Sequence, residues 1–172
     1  MAANEILLID SLHGLYPPMT EGSPAEKKFK LYLEPLLQMW GPDGYFRWTD
    51  IRLIRRMLRD QRHRAYKPQM TLEHWHYVRS SELRHIIPYA NTADFIVNSA
   101  MPYELPLYRA QLLDDFDRWR QEYADDPLRS DAQERAERVY RMLASITPVV
   151  DESPVPSDSV LREFIGGSSL GY

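Results

Sequence analysis

Apolar positions return every three or four residues in five long stretches of this chain, and form short unbroken runs in two places. The first spacing marks one face of an α-helix, and the second suits a strand buried on both faces of a parallel sheet. The opening run, Glu5 to Ile9, ends in Asp10 and predicts such a strand, followed by a loop from Ser11 to Pro18. Ala93–Asn98 predicts a second buried strand, with its apolar centre between polar ends. In open α/β sheets chemistry collects at the carboxyl ends of strands, which singles out Asp10 and His13.

The helical stretches carry their own start and stop signals. Ser23-Pro24-Ala25-Glu26 reads as a capping serine, a proline in the first turn and a capping-box glutamate. Phe29, Tyr32, Leu33, Leu36, Leu37 and Trp40 then predict a helix that Gly41-Pro42 ends and Pro35 bends. Thr49 is the expected cap of a helix over Asp50 to Arg64, and Thr71 opens another through Arg84. A long helix is expected from Tyr103 to Ala124, with Leu112, Phe116, Trp119 and Tyr123 on one face. Ser130-Asp131-Ala132-Gln133 is a further capping box, leading to a helix whose core face is Ala136, Val139, Tyr140 and Leu143.

After Thr147 the chain is rich in proline and acid and reads as an extended linker. Ser159 to Ile165 then forms a short amphipathic turn, closed by Gly166-Gly167. It is expected to dock on its own domain or on a second copy in a homo-oligomer. The fold class is α/β and helix-rich, with too few strands for a full sheet.

Composition narrows the function. At 172 residues the chain is one domain's worth. Its net charge of -4 argues against a nucleic-acid binder, whose domains are usually strongly basic. Without cysteine there is no thiolate metal site and no cysteine nucleophile. No apolar run reaches the roughly 18 residues of a membrane span, so a soluble, cytoplasmic protein is expected.

The second predicted helix changes the picture. On a helical wheel Arg52, Arg55, Arg56, Arg59 and Arg62 fall within an arc of about 120°. Like charges three or four residues apart repel, so this face needs an anionic counterpart. Carboxylates from elsewhere in the chain are one possibility. A polyphosphate is the other, because the planar fork of arginine matches phosphate oxygens.

At these residues the chain resembles a known family. Asp50 to Asp60, followed by Arg62 and Arg64, resembles the substrate-and-lid helix of the uridine kinase and phosphoribulokinase family. Ile87-Pro88 and Ala93–Asn98 resemble that family's downstream strand, and Leu7–Gly14 its upstream strand and loop. A bacterial uridine-kinase-like subgroup is closer still. It shares Thr71, Trp75, Val78 and Arg79, then Asn98–Ala100 with Tyr103–Leu105, and the terminal Leu161–Ser168.

The resemblance covers about residues 5–108 and 158–169. It implies part of a P-loop kinase fold over 1–108, a helical extension over 109–147, and a linker with docking tail over 148–172. It also implies an ATP- and magnesium-dependent kinase for a nucleoside (uridine-like) or similar hydroxyl substrate. Arg52, Arg55 and Asp10 would be catalytic, and Arg56, Arg59, Arg62 and Arg64 would bind the phosphates of ATP. His13 and Arg52 would line the substrate pocket, with Asp10 holding magnesium through water.

The chain departs from the family in one large respect. It contains no Gly-x-x-x-x-Gly-Lys-Ser/Thr, the loop whose backbone N–H groups cradle phosphate, so a P-loop-bearing segment or subunit is expected as partner. Asp10, Ser11 and Ala65 stand where the family has glutamate, glycine and glycine. The alternative is a non-catalytic phosphate-binding or protein-assembly module derived from such a kinase.

Overall fold

The computed structural model describes residues 4–170. It is α/β and helix-rich, with two separate two-stranded sheets. Strand β1 is Leu31–Glu34; β2 (Trp40–Gly41) and β3 (Gly44–Tyr45) form a hairpin; and β4 is Phe95–Asn98. The helices are α1 (Trp48–His63), α2 (Pro68–His85), α3 (Glu104–Glu122), α4 (Ser130–Ala144) and the single turn α5 (Arg162–Ile165). β1 pairs with β4 in parallel, and β2 with β3 antiparallel.

The chain divides into two compact units. Unit 1 comprises residues 1–34 and 77–97, so it holds β1, the second half of α2 and most of β4. Unit 2 comprises residues 35–76 and 98–172, and contains α1, α3, α4 and α5.

Unit 2 has a core built as helical periodicity dictates. In α1, Ile51, Leu53, Ile54, Met57 and Leu58 are buried, and in α3 so are Leu112, Phe116 and Trp119. Phe116 and Trp119 meet edge to face with ring centroids 5.2 Å apart. Helix α4 packs on α3 through Ala136, Val139 and Leu143. Tyr140, expected on that core face, is only half-buried; its ring instead lies 4.1 Å from the Arg120 guanidinium. Arg138 ties α4 to α1, donating from Nε and Nη2 to the buried carboxylate of Asp50 at 2.8 and 2.9 Å. That hydrogen-bonded carboxylate, opposed by desolvation, raises the Arg138 pKa above its ordinary range.

Several expectations fail at the amino end. Glu5–Ile9 forms no strand, and Ile6 to Ile9 are exposed. The helix expected from Ser23 to Trp40 is absent. In its place stand a 3-10 turn (Ala25–Lys27), strand β1 and the first arm of the hairpin. Pro35 is the reason: it lacks an N–H and its ring clashes with the preceding helical turn, while Phe29 and Leu33, four residues apart, also fit the period-two run Phe29, Leu31, Leu33. Ser23 does not cap the turn, whose N-cap is Pro24. The hairpin closes on Pro42-Asp43 with Gly44 at φ +111°. A Cβ at Gly41 would lie 2.0 Å from the Phe46 ring, so only glycine fits there.

Elsewhere the elements stand but their ends move. Helix α1 begins at Trp48 with Arg47 as N-cap, so Thr49 is inside the helix. Helix α2 opens at Pro68, where the missing N–H is harmless, rather than at Thr71. Ser130 makes no capping bond; the cap in this region is Asp126, whose carboxylate accepts from Leu128 N–H at 3.0 Å. Strand β4 is shorter than Ala93–Asn98 and is not buried: Phe95 and Ile96 are about half exposed. The C-terminal turn is docked, with Leu161, Phe164 and Ile165 buried and α5 against α1.

Candidate functional site: the arginine face of α1

Helix α1 presents its arginines because its apolar positions claim the other faces. Its last turn carries Arg62 and His63, where the negative end of the helix dipole favours cations. What each guanidinium meets differs along the helix.

Arg55 is inside the protein. Its Nε and Nη2 donate to Glu104 at 2.7 and 3.1 Å, and Nη1 and Nη2 donate to the Ser99 hydroxyl and carbonyl at 3.1 and 2.7 Å. Arg55 and Glu104 are both buried, Ser99 is half-buried, and the Phe164 ring lies 5.1 Å from the guanidinium carbon. Burial works against the charge, but the hydrogen-bonded Glu104 outweighs it and holds the Arg55 pKa above its ordinary range. Breaking such a pair costs about 3–5 kcal/mol, since the other charge stays buried alone. Tyr108 belongs to the same cluster; burial, then the Glu104 charge, push its hydroxyl pKa well up.

The outer arginines share few acids. Asp60, itself buried, accepts from Arg56 Nε at 2.8 Å and Arg64 Nη1 at 3.1 Å, with Arg59 Nε 3.9 Å away. Arg59 Nη1 lies 3.6 Å from the Glu163 carboxylate. Among the described residues the acceptors of Arg62 are neutral: Nε donates to the Phe164 carbonyl at 2.6 Å and Nη2 to Gln111 Oε1 at 3.0 Å. These four guanidiniums meet two carboxylates among the described residues, so positive charge is in excess at these contacts. Arg52, on the same helix, is half-buried.

The sequence pattern places Asp60 at the end of the stripe; the fold brings it to the centre of the ion pairs. Glu163 and the Phe164 carbonyl come from 100 residues away, and nothing in the spacing of α1 announces them. The one available signal was the amphipathic C-terminal turn, which had to dock somewhere.

Asp10 and His13 belong to unit 1, whereas the arginines belong to unit 2. Asp10 is exposed. His13 is half-buried with its ring centroid 5.8 Å from that of His85, which in turn meets Tyr16. Among the described residues no three His, Asp or Glu side chains converge on a point that could hold a metal ion. No helix among the described residues is long and apolar enough to cross a membrane.

Comparison with protein-family models, curated proteins and solved structures returns no match to this chain.

Proposed function

We propose that this chain is part of an ATP-dependent kinase for a nucleoside or similar hydroxyl substrate, with the phosphate-binding loop supplied by a complementary segment. The observation that carries this reading is the excess of positive charge on the outer face of α1. Phosphoryl transfer depends on positioning and on neutralising phosphate charge, and forked guanidiniums serve both ends. Arg56, Arg59, Arg62 and Arg64 would meet the phosphates of ATP, and Arg52 the substrate side. Asp10 and His13 remain proposed metal-side and substrate-side residues, on the resemblance alone.

A second reading has an observation of its own. Arg55 is fully engaged by Glu104 and Ser99, so that guanidinium serves the fold. This favours a non-catalytic phosphate-binding or assembly module over a catalytic arginine at that position.

Thermal unfolding with tripolyphosphate tests the shared premise. Wild type should be stabilised on the order of 1–3 kcal/mol at concentrations well above the dissociation constant, less so as salt rises. The Arg59→Gln/Arg62→Gln variant should lose most of that shift. Equal shifts in both proteins, or none, would assign the face to internal ion pairing. A coupled ADP-release assay then separates the two readings: the chain alone should show no turnover, and turnover on addition of a P-loop-bearing segment would favour the kinase.

A further inference from the structure

We propose that the C-terminal segment Leu161–Gly167 is a working part of this anion site, holding Arg62 in the pose that receives phosphate. The inference rests on the phosphate reading above and adds a role for a segment that otherwise reads as a docking tail.

The segment is anchored firmly enough for the task. Leu161 is 0% exposed, Phe164 6% and Ile165 4%, and Tyr108 meets the Phe164 ring edge to face at 6.4 Å. From this anchor the segment reaches α1 three times, twice through backbone carbonyls and once through a side chain. The Phe164 carbonyl accepts from Arg62 Nε at 2.6 Å, the Glu163 carbonyl lies 3.2 Å from His63 Nε2, and the Glu163 carboxylate faces Arg59. Gly166 then passes beside Arg62 with φ +94°, so close that a Cβ would lie 2.9 Å from Nη1.

The chemistry of these contacts is selective. An exposed arginine loses considerable rotamer freedom when it binds an anion, and fixing it beforehand lowers that penalty. A carboxylate would fix Arg62 but cancel its charge. A carbonyl and an amide oxygen fix it and leave the charge available. Among the described residues Arg62 is held by those two acceptors, with Nη1 turned toward Gly166. The positive φ favours glycine at 166, and a Cβ there would displace the Arg62 guanidinium from its present pose.

Calorimetric titration of the full chain with tripolyphosphate at fixed ionic strength tests the proposal. Gly166→Ala changes no charge and should weaken binding about tenfold, with helix content unchanged by circular dichroism. Glu163→Gln keeps the apolar anchors and serves as the charge control: it removes the carboxylate beside Arg59, which competes with phosphate, and should tighten binding about threefold. Wild-type affinity in Gly166→Ala, or weaker binding in Glu163→Gln, would overturn the proposal. Arg62→Gln separates the premises: if it binds as wild type does, the phosphate reading fails; if it alone weakens, only the tail's role does.

Discussion

The two units of this molecule are held together by different means. In unit 2, Phe116, Tyr108, Leu105 and most of the apolar side chains of α1 are out of water, and buried ion pairs cross between helices. In unit 1, Ile86 is the one buried apolar residue among those described, while Leu33, Phe29 and Phe95 are each more than half exposed. Its strands pair in parallel, a pattern that globular proteins use almost only with both faces covered. The difference teaches that regular secondary structure and stability are separate questions. Helices α1, α3 and α4 are sustained by packing, whereas β1 and β4 have backbone pairing with little burial behind it.

The sharpest way to break this comparison is a pair of truncations. Phe116→Ala should cost about 3–5 kcal/mol, because it removes a fully buried ring from unit 2. Leu33→Ala in unit 1 should stay within about 0.5 kcal/mol, because its side chain is already 60% exposed. Urea unfolding of both variants is the measurement. Equal losses would mean that unit 1 contributes as much to the cooperative fold as unit 2 does.

Alkaline titration sharpens the same contrast. Tyr108 and Tyr123, both buried in unit 2, have pKa values raised by burial first, and then by Glu104 in one case and Glu73 in the other. Unfolded, they ionise near the ordinary value; folded, they keep their protons. The unfolded state therefore binds fewer protons above about pH 10, and stability falls as pH rises, by about 1.4 kcal/mol per pH unit for each such tyrosine. Below that pH the effect vanishes. Tyr108→Phe should flatten the slope, and an unchanged slope would show that this hydroxyl is not shielded as described.

The smallest effect concerns the end of α1. Ala65 adopts φ +51°, a left-handed conformation that costs a residue with a Cβ about 1–2 kcal/mol. The turn survives because Arg64 and Tyr66 N–H both donate to the Asp60 carbonyl. Ala65→Gly should release up to about 1 kcal/mol of that strain, offset in part by the greater freedom of glycine in the unfolded chain. A rise in melting temperature is expected; a fall would mean that the unfolded-state term wins.

The order of α1 to α5 was legible in the sequence because each helix buries one face. Repeats such as Leu112, Phe116, Trp119 and Tyr123 register that face directly. The segment around Pro35 was not, since the same apolar residues satisfy two periodicities and only the proline decides between them. The arginine face was legible as a stripe of charge, but not which members remain available. Arg55 and Arg59 look equivalent on a helical wheel, yet one is sealed against Glu104 and the other looks outward beside Glu163.

Local pattern alone set the order and approximate extent of α1 to α5, the cationic side of α1, and the apolar face of the C-terminal turn. Local periodicity and charge need only neighbours within a few residues, so they are written in the chain. Only the tertiary structure decided the partners: Glu104 for Arg55, Asp50 for Arg138, and the Phe164 carbonyl for Arg62. Those pairings join residues about 50 to 100 positions apart. Their strength comes from burial and alignment that exist only once the helices have packed.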